Sequence, residues 1–284
     1  MQYAVTVGSI PADPLIDPAT TAGVKPVGHP DWGGGLVFSD EFGAPSWGAG
    51  GRWIPHYPAG GQYLTQSLAG PLSNGHGSSP SDGSADEPQI YHPSGLSVAG
   101  GLLSMTLTDG VPAEYAGQSW YSTFEFTSGM LCSHPRFALP GGYFEARLRC
   151  DAIAGAWPAF WALSASNGLE WPPEIDVVEY WGDSPSWAQF GGYQVGSGQI
   201  GAGSHSITGT MSSWNTFGCH YTPGSSVSFY CNGALSGTRS ISFTDDVFLL
   251  VNLAGDHRAG QGPNPASMPI VAQVDYVRAW TLPA

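Results

Sequence analysis

Positive charge is almost missing from this chain. Lys25 is its one lysine, and 8 Lys and Arg face 22 Asp and Glu, a net charge of −14 over 284 residues. Such a surface repels phosphate backbones, so nucleic acid is not an expected partner. Charge of either sign is scarce at 11% of residues, which leaves the surface to Ser, Thr, Gly, Gln and Asn. No apolar run approaches the length of a membrane helix, so a membrane is not an expected partner either. The N-terminal Met1-Gln-Tyr-Ala-Val-Thr-Val lacks the basic region and long apolar core of a signal peptide. No segment holds a 3.6-residue apolar period, which argues against amphipathic helices. Cysteines number four, and none has C-x-x-C spacing, so a zinc site is not indicated. Cys219 and Cys231 flank the turn Thr222-Pro-Gly-Ser-Ser226, where a hairpin would set them opposite one another within reach of a disulfide. The other reading is two buried thiols packed as small hydrophobes. Cys132 and Cys150 show no comparable symmetry.

What the chain has in quantity is glycine (41), proline (24) and aromatic residues (12%). That mixture describes short strands joined by tight turns. Leu103, Met105 and Leu107 alternate with Ser104, Thr106 and Thr108. Phe144, Ala146, Leu148 and Cys150 alternate with Tyr143, Glu145, Arg147 and Arg149, and Val227, Phe229 and Cys231 repeat the pattern. Each is a strand with one buried face. Val247-Phe-Leu-Leu-Val-Asn-Leu253 is apolar throughout, as suits a central strand covered on both sides. Turn signals every 8–15 residues predict an all-β antiparallel sandwich. Residues 1–35 read as an arm packed on one domain that spans 36–284. Gly70 to Pro88 reads as a long loop, either a lid or a plain surface insertion.

Against this sparsely charged background, Glu174-Ile-Asp176-Val-Val-Glu179 puts three acids into an apolar strand, entered through Trp171-Pro-Pro. Alternation places Glu174 and Asp176 on one face. A regular strand would throw Glu179 to the other; one extra residue, a β-bulge at Val177 or Val178, returns it. Two glutamates would then share a surface with an aspartate between them, the equipment of glycoside hydrolysis.

The hexapeptide resembles the Glu-x-Asp-x-x-Glu signature of glycoside hydrolase family 16, in the bulged form of laminarinases, agarases and carrageenases. Further segments match the family in order: Phe38-Ser-Asp40-Glu41-Phe42, Glu87-Pro-Gln89-Ile-Tyr91, Gly101 to Leu107, Ser128-Gly129, Gly142 to Arg147, Gly155-Ala-Trp157-Pro-Ala-Phe-Trp161 and Gln273 to Arg278. Together they cover roughly residues 36–281. The resemblance implies a β-jelly roll of two curved sheets, with the acidic strand crossing the floor of an open, concave substrate cleft. In that frame Glu174 is the expected nucleophile and Glu179 the acid/base. Asp176 is expected to hydrogen-bond Glu174 and tune its charge.

Trp157, Trp161 and Trp171 are the expected sugar platforms, since pyranose C–H faces pack on aromatic rings; core packing is the bland alternative. The resemblance also points to Arg136, His134, Asp86 and Glu87 as substrate contacts, although a lone Arg or His is more often a plain surface residue. Where many relatives carry Thr-x-His, this chain has Phe190-Gly-Gly-Tyr193-Gln194-Val. Tyr193 or Gln194 is then expected to supply the missing hydrogen bond. Glu41 and Asp275 match positions that hold a structural calcium in many relatives, with a surface hydrogen-bond pair as the alternative. No cofactor is expected in the chemistry itself.

The expected function is a retaining endo-β-glycosidase cleaving inside a β-1,3- or mixed-linkage glucan, acting as a monomer. A neutral polymer fits the acidic surface best. An endo-galactanase of the agar or carrageenan type and a transglycosylase are the enzymatic alternatives, and a carbohydrate-binding protein on the same fold is the non-enzymatic one. The workplace is expected to be extracellular, secreted or virion-associated, although no export signal is visible.

Overall fold

The computed structural model describes residues 15–48, 50–56, 87–115, 124–165, 172–196, 198–256, 258 and 260–284, with the backbone of 58–59 and 62–63. The alternating segments become two sheets packed face to face. The larger contains β1 (Leu36–Asp40), β4 (Gln89–Tyr91), β5 (Leu96–Ala99), β6 (Leu102–Asp109), β7 (Phe126–Ser128), β9 (Gly142–Cys150), β15 (Asn215–Thr222), β16 (Ser226–Cys231), β17 (Ala234–Ser240) and β19 (Ile270–Thr281). The smaller contains β8 (Met130–Cys132), β10 (Ala156–Ser164), β11 (Glu174–Tyr180), β12 (Ala188–Gln194), β13 (Gly198–Gln199), β14 (Gly203–His205) and β18 (Val247–Gly255). β2 (Pro58–Ala59) and β3 (Gln62–Tyr63) form a short ribbon of their own. Among the described residues every strand pairing is antiparallel except β4 with β7. The described residues contain no α-helix. This is the expected jelly-roll sandwich.

Sequence alternation explains where the core lies. Leu103, Met105 and Leu107 of β6 and Phe144, Ala146, Leu148 and Cys150 of β9 point inward. They meet Phe160 and Ala162 of β10, Ile175 of β11 and Val247, Leu249, Val251 and Leu253 of β18. Burying one such large side chain contributes about 1.5–3 kcal/mol. The central strand β18 lies between β10 and β8 and is buried along its whole length, because its outward residues Phe248 and Leu250 pack with Ile54, Tyr91, Met130 and Trp161.

The described part of the N-terminal arm lies against the larger sheet. Asp17 N–H donates to the Ser39 carbonyl and Trp280 Nε1 to the Val24 carbonyl, while Trp32 Nε1 donates to the Thr281 carbonyl. Val27 N–H and the Tyr276 hydroxyl both donate to Glu145, whose carboxyl burial pushes up to about 7.

The disulfide reading fails. All four cysteines are buried free thiols. The hairpin is centred on Gly224, one residue before the cysteines' midpoint at Ser225, so Cys219 faces Phe229 and Cys231 faces Phe217. The loop from Gly70 to Pro88 lies outside the described residues up to Asp86.

Candidate active site

β10 runs without interruption along β18, from Ala156 opposite Gly255 to Ser164 opposite Val247. Its inward residues are Ala156, Phe160 and Ala162, which leaves Trp157, Ala159, Trp161 and Leu163 on the outer face of the smaller sheet. β11 beside it is not regular. Trp161 pairs with Asp176 but Phe160 pairs with Val178, so Val177 is one residue too many. On the other side Asp176 pairs with Gly191 and Glu179 with Gln189, so Val177 and Val178 together face Phe190. Both valines turn into the core with Ile175 and Tyr180. Glu174, Asp176 and Glu179 therefore share the outer face, as the bulge argument requires.

A bulge leaves backbone groups without a ladder partner, and a buried carbonyl needs a donor. His205 of β14 supplies it. Its Nε2–H donates to the Val177 carbonyl at 2.7 Å, and the Ser236 hydroxyl donates to Nδ1 at 2.8 Å. A carbonyl can only accept, so the tautomer follows from the partners. The ring packs between Phe190 and Phe217 and is 4% exposed. Burial lowers its pKa to about 4, against the pull of Val177, so it stays neutral. Nothing in the local sequence marks this residue; only the pairing of β14 with β12 brings it beneath the acids. His205→Leu is expected to lower unfolding stability by about 1–3 kcal/mol through the orphaned carbonyl. It should also reduce kcat by loosening the bulge. Denaturant unfolding with parallel kinetics checks both.

The electrostatics separate the three acids. Asp176 is 7% exposed and Glu174 6%. Burial first, then the charges of Glu174 and Glu179, hold the Asp176 carboxyl well above its ordinary range, and it hydrogen-bonds Glu174. Asp176 is thus the protonated member and Glu174 the acceptor. Burial also raises Glu179, opposed by the Trp157 indole and the Gln189 amide, whose Nε2 donates to Glu179 Oε2 at 3.3 Å. One carboxyl held as acceptor and another held as acid is the division that acid–base chemistry on a sugar requires.

β12 shapes the other edge. Tyr193 lies opposite Glu174 and Gly191 opposite Asp176, so the aspartate has no bulky neighbour on the β12 side. Gly192 has φ +144° and a side chain there would meet the Glu174 carbonyl at 2.2 Å, so this position admits only glycine.

The residues singled out from sequence divide. Trp157, Trp161 and Tyr193 share the outer face with the acids. Trp157 is half-buried beside Glu179. Trp161 is buried, with its indole N–H donated to Asn252 at 2.7 Å, so it closes the floor and offers a sugar little of its ring. A relay continues from it: Asn252 Nδ2 donates to Tyr91, and the Tyr91 hydroxyl to Glu87. Burial raises the Glu87 carboxyl to about 7. His134 packs against Phe248 on the same face. Arg136 donates to the Gly48 carbonyl, in the segment whose Ile54 pairs with Cys132 of β8.

Gln194 does not join them. It follows Tyr193 on a regular strand end and turns the other way, accepting from the backbone N–H and hydroxyl of Ser242. Trp171 and Asp86 lie outside the described residues. The calcium expectation does not fit the donors present. Arg278 grips both oxygens of Glu41 at 2.8 Å, and Arg147 pairs with Asp275 at 2.5 Å. Each carboxylate is already neutralised, on a different arginine, and no group of three or more His, Cys, Asp or Glu suited to a metal occurs among the described residues.

Two further residues stand next to the acids. Trp181 stands two after Glu179, so plain alternation puts it on the acidic face. Gln189 becomes visible only through the β11–β12 register.

The family model for glycosyl hydrolases family 16 matches residues 92–242. Endo-1,3-1,4-beta-glycanase EglC of Rhizobium meliloti is 32% identical over 262 residues, 87% of this chain and 52% of the relative. Endo-1,3-1,4-beta-glycanase ExsH of the same organism is 31% identical over 191 residues, 66% of this chain and 40% of its own length. The chain thus spans about half or less of these two relatives. The crystal structure of the laminarinase catalytic domain from Thermotoga maritima superposes with a TM-score of 0.67 at 19% identity, covering 88% of this chain and 98% of that one. With the matched region running from His92 through the bulged acidic strand to Ser242, the chain belongs to glycosyl hydrolases family 16.

Proposed function

We propose that this chain is a retaining endo-β-glucanase unit that cleaves internal bonds of a β-1,3- or mixed β-1,3/1,4-linked glucan by double displacement. The observation that carries the reading is the bulge, which sets Glu174, Asp176 and Glu179 on one face with unequal protonation. The relatives' printed activities favour a β-glucan, and the net charge of −14 favours a neutral polymer over a sulfated one.

In the first step the Glu174 carboxylate attacks the anomeric carbon while Glu179 gives its proton to the departing glycosidic oxygen, leaving a glycosyl ester on Glu174. In the second, Glu179, now a carboxylate, takes a proton from water. The water oxygen attacks the same carbon from the opposite side and releases Glu174. Asp176 keeps its proton throughout and donates a hydrogen bond to Glu174, which holds that carboxylate in position and favours its departure. Every transferred proton is carried by a carboxyl or by water. The setting we infer is outside the cell, with the protein working as a monomer.

The test is reducing-sugar release from laminarin, lichenan, agarose, carrageenan and keratan sulfate, with the anomer of the first product followed by NMR. Release of β-anomeric oligosaccharides from laminarin or lichenan is the expected result. Release from a galactan alone would replace the substrate, α-anomeric first product would replace the mechanism, and binding without release would remove the catalytic reading.

A further inference from the structure

Strand register builds a second row beside the acids. Glu179 pairs with Gln189 and Tyr180 with Ala188, so the residues that follow on each side, Trp181 and Trp187, both turn outward. Trp157 stands two residues from Ala159, which faces Glu179 from β10. The three indoles stack across the strands. Trp157 and Trp181 have ring centroids 6.1 Å apart and planes at 16°, and Trp181 and Trp187 follow at 5.6 Å and 24°. The turn that carries the last two is pinned. Trp187 N–H donates to the Ser184 carbonyl, Ser184 N–H to the Trp181 carbonyl and Met211 N–H to the Pro185 carbonyl. Arg258 lies 5.0 Å from the Trp181 ring centre and donates to Asp183 at 2.7 Å.

Exposure separates the rings. Trp181 is 9% exposed and covered by its neighbours, whereas Trp187 is 40% exposed. One face of Trp187 rests on Trp181, which leaves its outward face to solvent. Asp183, Pro185 and Ser186 in the same turn are exposed as well. A protein partner seeks a contiguous apolar patch. A single indole among hydroxyl and carboxylate groups suits a pyranose instead, whose C–H face packs on the ring while its hydroxyls meet polar neighbours. Because the ring is already held from behind, binding loses little to ordering it.

We propose that Trp187 is the platform of an outer subsite for one glucose unit of a neutral β-glucan, on the leaving-group side of the cleft. The inference rests on the catalytic reading of Glu174 and Glu179. The side follows from the chemistry. Glu179 must reach the glycosidic oxygen, so the departing part of the chain lies nearer to it than to Glu174. The tryptophan row lies beyond Glu179, on the side away from Glu174. From Glu179, Trp187 is one strand over and two residues along, about 8 Å between backbones. That is too far for the sugar being cleaved and within reach of a later unit of the departing chain.

The experiment measures kcat and KM for the wild type, Trp187→Ala, Trp187→Leu and Trp187→Phe on three substrates. These are the glucan that the wild type cleaves faster, laminarin or lichenan, its hexasaccharide, and the nitrophenyl β-glycoside of its trisaccharide. The last has no sugar in its departing group. Trp187→Ala is expected to raise KM on the polymer and the hexasaccharide about three- to tenfold with kcat within about twofold. Both constants should stay at wild-type values on the nitrophenyl glycoside. Trp187→Phe keeps an aromatic face and should recover most of the loss. Trp187→Leu still covers Trp181 but has no flat face, so it should behave as the alanine variant does and keeps the test available if that protein does not fold. Unchanged KM on the polymer would overturn the platform. An equal loss on the nitrophenyl glycoside would overturn the leaving-group side. A fall in kcat with KM unmoved would make the row a support for the acids and overturn the subsite. A wild type inactive on every glucan would instead sink the functional reading beneath it.

Discussion

Glu174→Ala is expected to lose activity on β-glucan by about 10⁴-fold or more, and Glu179→Ala by about 10²–10⁴-fold. The difference follows from what each removes. Without Glu174 no covalent intermediate forms, whereas without Glu179 the first step still proceeds for a substrate whose leaving group needs no proton. Two aryl glycosides with good and poor leaving groups should therefore separate the variants: the good leaving group restores the first step in Glu179→Ala only. Azide then reports geometry. In Glu174→Ala it occupies the vacated space and attacks from that side, giving a glycosyl azide of inverted configuration. In Glu179→Ala it attacks the glycosyl ester from the opposite side, and the azide retains the original configuration. Exchanged products would exchange the two roles, and wild-type rates in either variant would remove that residue from the mechanism.

Inserting one alanine between Val178 and Glu179 is expected to be as damaging as removing Glu179 itself. With a further residue in β11, alternation sends Glu179 towards Phe190 and the core. A carboxyl there has lost Gln189 as a neighbour, and an unpaired buried charge costs several kcal/mol. The insertion should abolish glucan cleavage, resist azide rescue and lower the melting temperature. Deleting Val178 does the opposite: it removes the extra residue, and plain alternation through Val177 leaves Glu179 on the outer face, so this variant should retain measurable activity. Val178→Ala keeps the residue count and hence the bulge. It should cost about 1–3 kcal/mol for the lost core methyls and retain activity. An insertion variant with wild-type activity would show that the second glutamate reaches the substrate whatever the register. Circular dichroism on the insertion variant separates loss of activity from simple unfolding.

The fold was legible because its signal is local. Period-two alternation in β6, β9 and β16 appears residue by residue in the sequence, and the same residues are buried in the structure. The bulge was legible for a related reason: an acid cannot sit unpaired in a core, so the spacing of Glu174, Asp176 and Glu179 admits one extra residue and little else. Failures came where the outcome depends on register across strands. A hairpin centre displaced by one residue turned an apparent disulfide into two thiols facing phenylalanines. Nothing in the sequence around Glu41 or Asp275 announces Arg278 and Arg147, the partners that strand pairing brings to their carboxylates. Gln194 was read beside Tyr193, yet adjacent strand residues point to opposite faces.

By itself the sequence determined the all-β class, the strands and their buried faces, and the gathering of three carboxyls on one surface, since each follows from side-chain alternation over a few residues. Only the tertiary structure decided what surrounds those carboxyls. His205 beneath the bulge, Gln189 against Glu179 and Arg258 over the Trp181 ring all come from separate segments. Their effects are short-range hydrogen bonds and ring contacts, which depend on distances that no linear spacing records.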